Sequence, residues 1–436
     1  MTASTAVRSH PVAIGRRRVA AMTRAEQLFA GGAAAIALHV VDDSFVQPRH
    51  GTSATDHLAG GLVPAVAVAA AIVAFPRARA GLRGALALFF GAFGLIVGSE
   101  ALYDTFSAGA TGDDFTGLVA IGAGVLLLGL GGGTLWRSRR RDGRRWRRYT
   151  RRGLITFASL VFVAQVMFGI GIAYGTTHVQ RQTVPVAHLG TAYENVSFTT
   201  SDGLRLRGWY VPSRNGAAVI AFPGRSGPQK HARMFARHGY GVLLFDRRGE
   251  GASDGDGNLF GWGGDRDILA AVEYLQGRKD VEPGRVGGIG FSVGGELMLQ
   301  AAAETDGLAA VVSEGAGTRW LAEEIEEMDT IPGRRKWLDL PTYATKTAAL
   351  TVFGNTTPPP KLTDLVQKIE QPLFLIWAPN GGNAETMNPV YYRLAPGEKQ
   401  IWAIPDARHI QGITKHPMEY ERRVVSFFDD ALLEPR

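Results

Sequence analysis

Phe115–Trp136 and Leu154–Tyr174 run almost without polar interruption, broken only by small polar residues and by Gln165. A helix of about 20 apolar residues crosses the roughly 30 Å of hydrocarbon in a bilayer, and within hydrocarbon the backbone must satisfy its own hydrogen bonds, which a helix does. Three shorter stretches precede them. Leu58–Phe75 is long enough to cross; Ala85–Gly98 reaches across only if its helix continues through Ser99 and Glu100 to Tyr103; Leu28–Val41 is the shortest and carries His39. The sequence therefore predicts an all-α bundle of about five transmembrane helices within residues 1–175. Glu100 and Gln165 are expected as polar contacts between spans, and Gly171 and Gly175 form one small-xxx-small spacing suited to helix pairing.

Charge divides the chain at the same place. Residues 1–175 hold 19 arginines, no lysine and 9 acids, a net of +10, whereas the remainder is net −3. Ten arginines lie between Arg137 and Arg152, flanked by apolar stretches on both sides. In that position they read as a cytoplasmic loop drawn to anionic lipid heads rather than as a nucleic-acid surface. The loops alternate accordingly: Asp42, Asp43 and Asp56 follow the first span, Arg77, Arg79 and Arg83 the second, and Asp104, Asp113 and Asp114 the third. With a basic N-terminus (Arg16, Arg17, Arg18, Arg24) in the cytoplasm, five spans predict a multi-pass protein of the cell membrane whose C-terminal region is extracytoplasmic. The chain has no cysteine, which excludes disulfides, thiolate metal sites and a cysteine nucleophile.

After a linker at 176–192, residues 193–436 alternate β-rich and helix-like runs. Eight strand candidates emerge: Tyr193–Thr199, Leu204–Val211, Ala217–Phe222, Tyr240–Asp246, Val286–Ile289, Leu308–Ser313, Pro372–Ala378 and Gln400–Ile404. Ser201-Asp202-Gly203 marks a hairpin between the first two. From the third onward each gap has room for a crossover helix, so the expected class is α/β, with about eight mostly parallel strands covered on both faces.

Two segments fit the pattern Gly-x-Ser-x-Gly. Gly290-Phe291-Ser292-Val293-Gly294 follows the apolar run Val286–Ile289 and precedes a helix-compatible stretch, the strand–turn–helix context of a nucleophile elbow. Gly251-Ala252-Ser253-Asp254-Gly255 sits in a polar loop with no helix start after it, so Ser253 reads as a turn residue.

These features resemble the α/β-hydrolase fold family over roughly Tyr193–Leu433. They include the Pro223-Gly224-Arg225 turn after the third strand, the Asp246–Ser253 loop after the fourth, the Ser292 elbow after the fifth, and a late histidine. The likeness is greatest to membrane-tethered serine esterase/lipase or depalmitoylase-like members. It implies that Ser292 is the nucleophile and that His409, between the last strand and the terminal helix, is the general base. The family's usual Asp after the seventh strand is absent from Trp377-Ala378-Pro379-Asn380-Gly381-Gly382-Asn383-Ala384-Glu385. Glu385 is the nearest carboxylate there, and Glu314, ending the sixth strand, is the alternative acid. The oxyanion hole is expected from the backbone N–H groups of Val293 and Arg225, although Pro223 stands where the family usually has His. The Arg225 side chain reads either as a contact for an anionic substrate or as a solvated loop residue. Asp246 is expected to be structural.

Ala316–Ile369 is an insertion, either a cap over the site or a docking surface for the membrane spans. Ile325, Met328 and Ile331, interleaved with Glu323, Glu324, Glu326 and Glu327, predict an amphipathic helix at its start. The resemblance implies a serine hydrolase cleaving acyl esters or thioesters of small or lipid-linked substrates at the bilayer, with peptidase or acyltransferase chemistry open on the same residues. No cofactor is implied, and no metal-ligand spacing is present. The missing Asp and altered turn keep a second reading, a catalytically silent scaffold that binds a partner.

Overall fold

The computed structural model describes residues 22–46, 52–107, 112, 114–138, 145–179, 181, 183–331, 336–381 and 385–434. Arg16, Arg17, Arg18, Asp113, Gly382, Asn383, Ala384 and the arginines at 139–141 and 144 lie outside these residues.

The N-terminal region consists of helices α1 (Arg24–Val41), α2 (Leu58–Ala74), α3 (Ala80–Val97), α4 (Ser99–Ser107), α5 (Asp114–Arg137) and α6 (Arg145–Thr177). Thr23 starts α1 with a capping box, its hydroxyl accepting from the Glu26 N–H while the Glu26 carboxylate accepts from its own N–H. Among the described residues, five helices are long and apolar enough to cross a membrane, one for each of the five expected stretches. The third gains its length differently from expectation. It begins at Ala80 and ends at Val97 with Gly98 as its C-cap, and Ser99–Tyr103 belong to the separate α4. Phe29, Ile36, Phe90, Phe93 and Leu127 form the bundle core, while Val66, Val73, Val119 and Val125 stay more than half exposed. An apolar outer face is what a lipid solvent permits and water does not. His39 is buried with both ring nitrogens engaged, at 3.1 Å from Thr116 Oγ1 and 3.0 Å from the Val97 carbonyl.

The rest is one eight-stranded sheet: β1 (Glu194–Thr199), β2 (Arg205–Val211), β3 (Ala218–Phe222), β4 (Gly241–Phe245), β5 (Val286–Phe291), β6 (Ala310–Glu314), β7 (Leu373–Trp377) and β8 (Lys399–Ala403). Its order is β1-β2-β4-β3-β5-β6-β7-β8, antiparallel across β1–β2–β4 and parallel elsewhere. All eight strands fall where the apolar runs placed them. Strands β3 to β6 are buried throughout, as strands covered on both faces must be.

The helices are α7 (Gln229–Arg237), α8 (Asp265–Gln276), α9 (Val293–Glu304), α10 (Leu321–Thr330), α11 (Lys336–Phe353), α12 (Leu362–Leu365), α13 (Asn388–Leu394), α14 (Gly412–Lys415) and α15 (Pro417–Leu432). Helices α8, α9, α12 and α13 contribute to the core on one face of the sheet, and α7 and α15 to the core on the other. Because Leu362 and Leu365 belong to the sheet core, the insertion that stands apart from the sheet ends before α12, short of the expected Ile369. The segment after α6 is strapped to the sheet domain: Arg181 donates to the carbonyls of Ser253 and Gly255, and Leu189 joins the core.

Candidate active site

Strand β5 delivers Ser292 into a turn that only this spacing of glycines permits. Ser292 has φ 53° and ψ −125°, a conformation rare for a residue with a side chain. A Cβ on Gly290 would stand 2.1 Å from the Gly294 carbonyl, so the residue two before the serine must be bare for the chain two after it to pass. The turn is held by the Ser292 N–H donating to the Glu314 carbonyl at 2.9 Å, across to the end of β6.

Ser292, His409 and Glu385 form one hydrogen-bonded chain, with Ser292 Oγ 2.8 Å from His409 Nε2 and His409 Nδ1 2.6 Å from Glu385 Oε1. An ionised carboxylate only accepts, so Nδ1 carries the proton and Nε2 is left to accept from the hydroxyl. Glu385 is 2 % exposed, and its second oxygen accepts from the Ala378 N–H at 2.6 Å. Asn388 braces the same loop by donating to the carbonyls of Glu385 and Ala316.

Glu314, the alternative acid, does not reach the imidazole through a hydrogen bond. Its oxygens accept from the Gly412 N–H at 2.9 Å and the Tyr420 hydroxyl at 2.6 Å. It supports the backbone just after His409 instead, and burial raises its pKa.

Neither expectation for the Arg225 side chain holds. It is buried, donates to Asp246 Oδ2 through Nε at 3.0 Å and through its terminal nitrogen, and lies over the Trp209 ring. The same Asp246 oxygen accepts from the Ala252 N–H at 3.1 Å. Ser253, fully buried, donates to the Asp246 carbonyl at 2.7 Å and accepts from the Arg207 N–H at 2.9 Å, the bonding of a turn residue. The turn after β3 nevertheless packs on the start of α9, since a Cβ on Gly294 would meet Phe222 O at 2.7 Å.

Ser292 and His409 open into a cavity of about 530 Å³ whose sheet side includes Val293, Glu296 and Gly315 and whose cap side includes Glu324, Glu327, Ile331 and Tyr343. Glu296 escaped the sequence reading. It lies one helical turn after Ser292, accepts from the Gly317 N–H at 3.0 Å, and burial pushes its pKa up to about 7. Its spacing of four from the nucleophile within a helix was the available signal.

The sheet order, the elbow and the late histidine are those of the α/β-hydrolase fold. Comparison with known proteins finds partial similarities. The profile of the X-Pro dipeptidyl-peptidase (S15 family) matches residues 174–349. The uncharacterized protein YfhR of Escherichia coli (strain K12) is 29% identical over 257 residues, which are 55% of this chain and 81% of that protein. The polyketide transferase grgF of Penicillium sp is 35% identical over 127 residues, 27% of this chain and 43% of that protein. Among solved structures, the Pyrococcus furiosus esterase Pf2001 is 21% identical with a TM-score of 0.47, covering 59% of this chain and 98% of that one.

Proposed function

We propose that this chain is a membrane-anchored serine hydrolase that cleaves acyl esters or thioesters through an acyl-enzyme on Ser292. The observation that carries the reading is the unbroken chain from the Ser292 hydroxyl through His409 to Glu385. As Ser292 Oγ bonds to the acyl carbon, its proton passes to His409 Nε2, and Glu385 stabilises the imidazolium. The developing oxyanion takes the backbone N–H groups of Val293 and Arg225. Collapse expels the alcohol or thiol, which leaves with the proton from Nε2. Water then attacks the acyl-enzyme with His409 again as base, releasing the acid and restoring the serine.

The silent-scaffold reading rested on the missing Asp after the seventh strand and on the altered turn after the third; the hydrogen bond between His409 and Glu385 supports the hydrolase reading over it. The same residues serve amide cleavage, which the S15 match favours as a second reading. A fluorophosphonate probe tests the hydrolase reading. It should label the wild-type chain and not Ser292→Ala, and turnover of an acyl ester should fall at least about 10⁴-fold in the variant. Wild-type protein that neither labels nor turns over a panel of esters, thioesters and dipeptide anilides returns the scaffold. Arginine alternation between the spans supports a cytoplasmic N-terminus with the hydrolase region on the opposite side. A reporter active only in the cytoplasm, fused to the C-terminus, should stay dark; a bright signal reverses the orientation.

A further inference from the structure

Helix α11 does not lie over the sheet alone; it runs down the flank of α6. Phe353, at its end, packs edge-on to Tyr174 at 5.4 Å between ring centres. Further back, a Cβ on Gly169 would fall 2.6 Å from the Thr342 carbonyl and 2.9 Å from the Lys346 nitrogen, so the two backbones touch where α6 is bare. Deeper still, Gln165 donates to the Leu338 carbonyl. The two helices thus descend together from Tyr174 to Gln165.

The apolar stretch of α6 begins after Arg152. At 1.5 Å per residue, Gln165 lies about 18 Å into a hydrocarbon layer of roughly 30 Å, about 12 Å below its hydrolase-side edge. Another face of α6 near these levels is unsheltered: Phe162 is 58% and Phe168 64% exposed. Lipid is the solvent such side chains require, and α11 shares their level. Its first turns expose Leu338 and Leu340 at 40% and 41%. The same helix walls the Ser292 cavity with Tyr343, on the cap side that also includes Ile331, just after α10.

We infer that α11 lies within the hydrolase-side leaflet and forms one wall of a lateral passage, by which the acyl chain of a bilayer lipid reaches Ser292 without crossing water. The inference rests on the membrane-anchored hydrolase reading and deepens it by naming the substrate class as a membrane-resident acyl lipid. Lys346 on α11 is paired 2.9 Å from Glu324 on the protein side. Lys336 and Asp339, on the turns that carry Leu338 and Leu340, are charges that this placement holds in the leaflet at a cost, which makes the depth of α11 the first thing to measure.

Two readouts test it on the full-length chain in phosphatidylcholine vesicles. Since the chain lacks cysteine, Leu340→Cys carries an environment-sensitive fluorophore uniquely. Nitroxides on the lipid acyl chains should quench it strongly and an aqueous quencher weakly; the reverse overturns the placement of α11. Leu338→Glu/Leu340→Glu should lower turnover of a long-chain ester lipid in the vesicle by at least about tenfold while leaving a soluble short-chain ester unchanged. Equal losses on both esters, or no loss on the lipid, overturn the passage. If wild-type protein turns over neither ester, the hydrolase reading and the passage fall together, and quenching still decides separately where α11 lies.

Discussion

On the sheet side of the Ser292 cavity, Val293 and Glu296 ride on α9 and Gly315 follows β6, both elements anchored in buried apolar core. On the cap side, α10 turns acid inward: Glu323, Glu324 and Glu327 are buried, and Glu326 is half-buried. Three of these carboxylates meet cations, Glu323 with Arg319, Glu324 with Lys346 and Glu326 with Lys361. One half of the site is held by hydrophobic burial around a local turn. The other is held by ion pairs whose partners lie on different segments, an arrangement that discriminates among packings more than it adds net stability.

The largest expected effect falls where the sheet side must borrow a group from a loop. Glu385→Gln should leave the fold intact and lower kcat by about 10³- to 10⁴-fold, because an amide no longer fixes the imidazole tautomer or stabilises its charged form. Glu314→Gln should cost less than tenfold in kcat and appear mainly as lost stability. Steady-state kinetics on one ester with both variants decides it, and equal losses would mean that Glu314 orients His409 after all.

The cap side breaks at Arg319, fully buried, which donates to both Glu323 and Gln300. Arg319→Met should destabilise the protein by about 3–5 kcal/mol, since it strands a carboxylate in the interior. Adding Glu323→Leu should recover most of that loss in a denaturant or thermal series. If the double variant is no better than the single, the pair is not what holds α10.

These contrasts also explain what was legible in the sequence. The eight strands and the Ser292 turn are written locally, in runs of apolar residues and in glycines two positions either side of a serine. Glu385 was half legible: it is the first carboxylate after β7, but the choice over Glu314 depends on Ala378 and Asn388 holding its loop. Helix α10 was expected as an amphipathic helix, and the helix is there, yet the acids face inward because Arg319, Lys346 and Lys361 await them. Arg319 stands only four residues before Glu323, but nothing within the heptad announces Lys346 or Lys361. The glycine spacing singled out in α6 was likewise the wrong one. Gly175 has no heavy atom near its absent Cβ, whereas Gly169 touches α11, a partner far along the chain.

Glu296 joins the two halves, lying on α9 but facing the cap through Gly317. Its pKa of about 7 in the folded chain stands above the ordinary 4.5, so the native state holds a proton that the unfolded state has released. Stability from this residue is therefore greatest below pH 4.5 and falls as the pH rises toward 7. Glu296→Gln should flatten that fall by about 3 kcal/mol. Thermal melts of both proteins between pH 4.5 and 7 would show it, and parallel curves would mean that Glu296 is solvated in the native protein.

The smallest effect at neutral pH belongs to His231 on α7, pressed against Phe291 at 4.2 Å between ring centres, with no hydrogen-bond partner for either ring nitrogen among the described residues. Burial lowers its pKa from 6.5 to about 3, so here the unfolded chain binds the extra proton and stability is lost as pH falls through 6.5. His231→Phe should change stability by less than about 1 kcal/mol at pH 7, since both neutral nitrogens are already unpaired. At pH 5 it should be more stable than wild type by about 2 kcal/mol, the cost of charging that it no longer carries. The opposite pH slopes of the Glu296 and His231 variants would thus separate the acid-facing wall of the site from the apolar support behind the elbow. A His231→Phe variant equally destabilised at both pH values would instead reveal a hydrogen bond to the imidazole within the native sheet domain.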